Sequence, residues 1–295
     1  MTMTTGKLII NTAITGMVPM KGNSPHVPIS PNEIVDDALA CAEAGAAMLH
    51  LHARDADGAP TWNPDIYGEI ITRIRADRPD IILCTSLSGR RVSDVDKRAA
   101  VLDLDGDAKP DMGSLTLGSL NFSREPSQNS PETIQELARR MLERGIKPEL
   151  EAFEPGMIHY AKYLQKKGLI KGPWYINILL GSLGTSPGEI RQLSHMVDML
   201  PADAVWGAAG IGSCQLGINA AALIMGGHVR VGLEDNLHYD VARSRLATNV
   251  QLIERISRLA GEFERGIAIP EEVRVMLDIR KSPLRSVGGM RNAAV

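Results

Sequence analysis

Cysteine is scarce in this chain of 295 residues, with only Cys41, Cys84 and Cys214. An odd number of cysteines set far apart argues against a disulfide framework and fits a reducing compartment, and none of the three has metal-ligand spacing. Long apolar runs are missing too. No stretch of about 18 apolar residues is present to span a bilayer, and residues 1 to 10 lack the basic start and apolar core of a signal peptide. A cytoplasmic protein with no membrane partner is therefore expected. Nor does charge of one sign dominate: the net charge is -3 and the pI is near 6.2. That balance argues against a nucleic-acid binder or a membrane-surface protein driven by charge, so an anionic ligand must be held by local basic residues. Neither a Walker loop nor a dinucleotide fingerprint occurs, which argues against P-loop and Rossmann coenzyme sites.

What the chain does have is alternation. From Lys7 onward short apolar runs alternate with longer segments of helical period, and no shift in composition marks a domain boundary. Strands are expected over Lys7–Gly16, around the histidines at 50 and 52, and over Asp80–Ser88, Met112–Leu120, Pro148–Glu154, Trp174–Gly181, Ala204–Ile211 and His228–Asp235. A helix follows each. Ser30-Pro31-Asn32-Glu33 opens the first with an N-cap, a proline and a capping-box glutamate, Ser130-Pro131 opens the fourth, and the last spans about Val241–Gly266. Eight strands and eight helices in strict alternation favour an α/β fold with a single (β/α)8 TIM barrel over residues 1–279. Residues 280–295, with Arg280, Lys281, Arg285 and Arg291, form a basic tail without apolar period, read as a solvated or subunit-contacting arm.

In such a barrel polar residues collect at the carboxyl ends of the strands. His50 and His52 share a strand face and sit where a buried strand ends, which suits a metal, although two satisfied core histidines would look the same. Strand eight brings Glu234, and only strand one separates strands eight and two in the closed ring. Two histidines and Glu234 make a three-ligand site with open positions, the catalytic pattern of zinc, and the same set serves non-haem iron. Arg230 shares the face of Glu234 by parity. Asp235 points the other way unless the strand has already turned, and a buried Arg-Asp ion pair closing the barrel is an equal reading of this group. Ser86, Ser114 and Thr116 are hydroxyls at strand ends, where turn or cap bonds are the commoner role. Glu149 and Glu151 share one face of strand five, so at least one should meet a cation, a hydroxyl or substrate. Gly210-Ile211-Gly212 and Gly226-Gly227 read as tight turns before phosphate cradles.

Three segments carry a resemblance: Leu49-His50-Leu51-His52-Ala53-Arg54, Lys147-Pro148-Glu149-Leu150-Glu151, and Met225-Gly226-Gly227-His228-Val229-Arg230-Val231-Gly232-Leu233-Glu234-Asp235-Asn236. With them the chain resembles the β-keto acid cleavage enzymes from Lys7 to about Leu277. The resemblance implies a homo-oligomeric TIM barrel, a tetramer foremost, with a divalent metal, typically Zn²⁺, on His50, His52 and Glu234. It implies an acyltransferase in which a β-keto acid and acetyl-CoA become acetoacetate and a new acyl-CoA. It also implies Asp235 as the base oriented by Arg230, with Ser86, Ser114, Thr116 and Glu149 or Glu151 positioning substrate or base. Where the resemblance implies a glutamate for a substrate ammonium, this sequence has Val18. An amine-bearing substrate is therefore not expected, and Arg90 and Arg91 could instead pair with a second carboxylate. The competing readings are a metal-dependent aldolase or hydrolase that needs no CoA, and a metabolite-binding barrel without turnover.

Overall fold

Runs of aliphatic residues build the strands, and a polar cap followed by proline starts many of the helices between them. The computed structural model describes residues 6–123 and 125–280. Its barrel strands are β1 (Ile10–Ala13), β2 (Met48–Leu51), β3 (Ile82–Thr85), β4 (Met112–Thr116), β5 (Lys147–Ala152), β6 (Tyr175–Leu180), β7 (Val205–Gly210) and β8 (His228–Val231). They pair in parallel in chain order, and β8 closes the ring by setting Val229 beside Ile10 and Arg230 beside Asn11. This is the expected (β/α)8 barrel.

Each strand is followed by a helix: α1 (Pro31–Glu43), α2 (Pro64–Asp77), α3 (Val95–Ala99), α4 (Pro131–Arg144), α5 (Pro155–Lys166), α6 (Ile190–Asp198), α7 (Gln215–Ile224) and α8 (Asn249–Glu262). Proline opens α1, α2, α4 and α5, where a missing N–H has no intrahelical partner to lose. Ser30 accepts the Glu33 N–H while the Glu33 carboxylate reaches back to the Ser30 N–H, a reciprocal cap of a kind whose removal costs about 1 kcal/mol.

The sequence reading differs from the structure at both ends of the last unit. The expected helix over Val241–Gly266 begins only at Asn249, because the Asp240 carboxylate captures the Ser244 and Arg245 N–H groups and folds those residues into a turn. A ninth helix, α9 (Pro270–Leu277), was not foreseen. Val273 and Leu277 of α9 share a buried cluster with Met48, Ile82, Cys84, Met112 and Tyr175 of the barrel strands. The remaining core lies between the strands and the helices around them, with Leu49, Leu83, Leu115, Leu150 and Ile176 among its members. The interior is thus apolar near the β-strand starts, which leaves its polar residues for the other end. No helix among the described residues is long and apolar enough to cross a membrane. Of the expected basic tail, only Arg280 falls within the described residues.

The strands are shorter than the sequence suggested, and the difference positions the site. β8 stops at Val231, and Gly232 follows with φ of 147°. A β-carbon on Gly232 would stand 2.0 Å from the Ala13 carbonyl oxygen, so only glycine lets the end of β8 press against β1. Gly232→Ala is expected to lose at least about 2 kcal/mol, lowering the melting temperature by at least about 3 °C in a thermal unfolding scan. An unchanged transition would mean that the two strand ends can part freely.

Candidate active site

His50 lies on β2, in register with Ala13 of β1 and Cys84 of β3, and His52 lies just past the strand end. Both are buried, and their Nε2 atoms approach to 3.2 Å. Glu234 arrives from the loop after β8, with Oε1 3.3 Å from His52 Nε2 and Oε2 3.8 Å from His50 Nε2. Gly16 makes room for it. Gly16 has φ of 67°, and a β-carbon there would fall 2.6 Å from Glu234 Cγ. One ligand atom from each of the three residues lies within 4.8 Å of the others. Glu234 Oε2 is buried without a hydrogen-bond partner, and His50 Nδ1 is already engaged below. Two imidazole nitrogens and an unsatisfied carboxylate oxygen so arranged fit a divalent cation such as zinc.

The support beneath is Glu149, with its side chain fully buried in the barrel. One of its oxygens meets His50 Nδ1 at 2.6 Å and receives the Cys84 thiol at 3.1 Å; the other accepts the amides of Asn11 at 2.6 Å and Asn177 at 2.7 Å. Burial alone would raise its pKa, but His50 and Arg230 outweigh that and hold it at about 2. Burial likewise opposes charge on His50, and Glu149 with Glu234 pushes its pKa up to about 9. For His52 burial prevails over Glu234 and lowers the pKa. His50, Cys84 and Glu149 also lie close enough together to be considered as ligands. Both Glu149 oxygens there are already bonded, so this group serves the first as a support. Asn11 and Asn177 were not picked out from the sequence, although each is a polar residue within an aliphatic strand run.

Arg230, on β8, organises the other half. Its Nε and Nη2 donate to the Asp235 carboxylate at 3.0 and 3.2 Å, Nη1 to Glu151 Oε1 at 3.2 Å, and Nη2 lies 3.1 Å from Glu234 Oε1. The buried ion pair, one of the two readings of this group, is present, and it stands beside the three converging donors. The parity question is resolved by the early end of β8. The Asp235 N–H bonds to the Gly232 carbonyl, so the chain has turned before Asp235 and brings it back to Arg230. Burial pushes the Asp235 carboxyl up, with Arg230 opposing and the Glu234 charge adding to the rise. Glu151 is also raised by burial, against Arg230. Glu234 falls well below the usual range because His52, Arg230 and His50 together outweigh its burial.

These groups open into a cavity of about 560 Å³. Ser86, Thr116, Glu151 and Asp235 reach its wall, and Thr116 donates to Glu151 Oε2 at 2.7 Å. Ser114 does not reach it; its hydroxyl accepts the Leu87 N–H at 3.1 Å and so braces the loop after β3. Glu149 sits below the cavity as well. Val18 and Arg90 line the outer part, with Val18 45% exposed. Arg54, quoted above within the histidine segment without a role, donates to the carbonyls of Gly16, Pro19 and Gly58 and fixes the loop that carries Val18.

Compared with known proteins, residues 7–279 match the family model of the beta-keto acid cleavage enzymes. The chain belongs to the β-keto acid cleavage enzyme family. Its relatives include 3-keto-5-aminohexanoate cleavage enzyme of Fusobacterium nucleatum, 38% identical with 93% of this chain and 99% of the relative covered. 3-Oxoadipate:acetyl-CoA acetyltransferase of Cupriavidus necator is 36% identical over 92% of this chain and 94% of its own. 3-Dehydrocarnitine:acetyl-CoA trimethylamine transferase of Rhizobium meliloti is 34% identical over 93% and 97%. Among solved structures, ObcA in complex with oxaloacetate superposes with a TM-score of 0.78 at 22% identity, covering 88% of this chain and 68% of that one, a likeness of fold.

In this family member the converging donors make a direct prediction. His50→Ala and Glu234→Gln are each expected to lower metal content at least about tenfold by elemental analysis of dialysed protein, since a bidentate or tridentate set loses most of its affinity with one ligand. Full occupancy in either variant would remove that residue from the ligand set.

Proposed function

We propose that this enzyme is a metal-dependent acyltransferase that condenses a β-keto acid with acetyl-CoA and releases acetoacetate and a new acyl-CoA. The observation that carries the reading is the joining, in one cavity of a β-keto acid cleavage enzyme, of the His50, His52 and Glu234 donors with the Arg230-bound carboxylate of Asp235. Names of the relatives support the co-substrate, since two of them specify acetyl-CoA. His50, His52 and Glu234 would hold the divalent metal, zinc foremost. Bound there, it supplies Lewis-acid stabilisation of negative charge on the oxygens of the keto acid.

The chain's own groups account for the remaining steps. Asp235 is assigned as the base that takes a proton from C2 of the β-keto acid; Arg230 fixes both its oxygens, so the base is held in one orientation. The C2 carbanion forms a bond to the acetyl carbonyl carbon, and the CoA thiolate leaves. That thiolate then adds to the original C3 carbonyl, the C2–C3 bond breaks, and C2 takes its proton back from Asp235. Acetoacetate and the tail as its acyl-CoA result, with all atoms accounted for. Ser86, Thr116 and Glu151 are read as groups that orient substrate from the wall, and Glu149 and Ser114 as positioning residues behind it. By family likeness the enzyme is further read as a homo-oligomer, a tetramer foremost, and its sparse, scattered cysteines support a cytoplasmic reading.

Asp235→Asn separates the base from the metal support. The variant is expected to keep its metal while acyl-CoA and acetoacetate formation, followed by mass spectrometry, falls at least about a hundredfold. Metal loss in step with activity would make Asp235 a structural support for Glu234 instead.

A further inference from the structure

The outer part of the cavity contains a cation without a counterion. Arg90 lines the wall, and among the described residues no carboxylate lies within ion-pair distance of its guanidinium. Its Nε is buried with no hydrogen-bond partner. The guanidinium carbon stands 3.7 Å from the centroid of the Phe122 ring, which holds the planar group in place by its face and leaves its edge for a ligand. The backbone of this segment is fixed as well, since Arg90 bridges to Ser127 and the Gly89 carbonyl accepts the Gln128 N–H.

The sequence could not separate Arg90 from Arg91. The structure does, because Arg91 Nε lies 3.1 and 3.0 Å from the two oxygens of Glu125 and is neutralised by it. The other arginines on the wall are also occupied: Arg230 by three carboxylates, Arg54 by three carbonyls. The acids are similarly committed, Glu151 to Arg230 and Thr116, Asp235 to Arg230, and Glu234 to the histidines. Asp57 is exposed at the rim. Among the described arginines of the wall, Arg90 is thus the one whose guanidinium has neither a carboxylate nor a carbonyl partner, and Val18, Met17 and Phe122 add apolar surface to the same cavity.

Resting on the acyl-transfer reading above, we infer that the substrate is a β-keto dicarboxylic acid whose distal carboxylate is held by Arg90, with an apolar linker passing Val18. A guanidinium edge matches a carboxylate through two parallel N–H bonds. The distal carboxylate displaces no acceptor among the described residues, because the Arg90 guanidinium donates to none of them.

The test compares metal-loaded wild-type and Arg90→Met enzymes on β-keto acids of matched chain length ending in a carboxylate, a methyl or an ammonium group, at saturating acetyl-CoA. Wild type is expected to favour the carboxylate tail at least tenfold in kcat/KM, and Arg90→Met to lower the carboxylate-to-methyl ratio about ten- to a hundredfold through KM. Arg90→Lys, which keeps the charge and loses the fork, should recover part of the ratio. Equal use of the three tails by wild type, or preference for methyl or ammonium, would overturn the inference while the acyl-transfer reading stood. The wild-type ranking decides this even if the variant is unstable. An unchanged ratio in Arg90→Met with a raised KM for acetyl-CoA would assign Arg90 to a CoA phosphate and also overturn it. Silence of the wild type on every tail would overturn both readings together.

Discussion

A carboxylate kept charged inside the barrel is the constraint on which the site depends. Glu149 on β5 is reached by donors from β1, β2, β3 and β6, through Asn11, His50, Cys84 and Asn177. Five of the eight strands therefore meet at one side chain. An isolated buried charge of this kind would be prohibitively costly, and removing one partner of a buried charged pair costs about 3–5 kcal/mol. The same bond that satisfies Glu149 turns His50 so that Nε2 faces His52 and Glu234. Packing of the barrel and orientation of the candidate ligand are thus one interaction seen from two sides.

Above that layer the loop after β8 performs a second task. Gly232 allows β8 to end against β1, and the turn that follows returns Asp235 to Arg230 while Glu234 enters the space left by Gly16. Asn249, at the start of α8, accepts the Leu233 N–H at 2.8 Å and donates to the Ile14 carbonyl at 3.1 Å. It ties the loop that carries Glu234 to the loop that carries Val18. Glu234 and Asp235 then reach one cavity because the backbone around them is fixed from both neighbours.

Much of this was legible in the sequence, for identifiable reasons. Alternation of aliphatic runs with Ser-Pro and Asn-Pro helix starts fixes strand and helix order locally, so the barrel could be read without tertiary information. His50, His52 and Glu234 could be grouped because closure of the ring sets β8 one strand from β2. The side of the chain on which Asp235 falls could not, since it depends on where β8 ends, and that is set by the contact of Gly232 with Ala13 in a distant strand. Asn11 and Asn177 were passed over because a strand asparagine acquires meaning only when the carboxylate it faces is known. The late start of α8 escaped because the Asp240 carboxylate, and not apolar period, decides where that helix begins. Arg90 and Arg91 look alike in sequence, and only Glu125 distinguishes them.

The central claim is that the acetyl group of acetyl-CoA becomes the distal half of acetoacetate while the β-keto acid contributes the other half and passes its tail to CoA. The most direct measurement supplies acetyl-CoA carrying ¹³C at both acetyl carbons and follows the products by NMR and mass spectrometry. The account predicts acetoacetate labelled at C3 and C4 only, and an acyl-CoA that carries the substrate tail without label. Cleavage of the β-keto acid that proceeds without acetyl-CoA, or products in which the label is absent from acetoacetate, would contradict it.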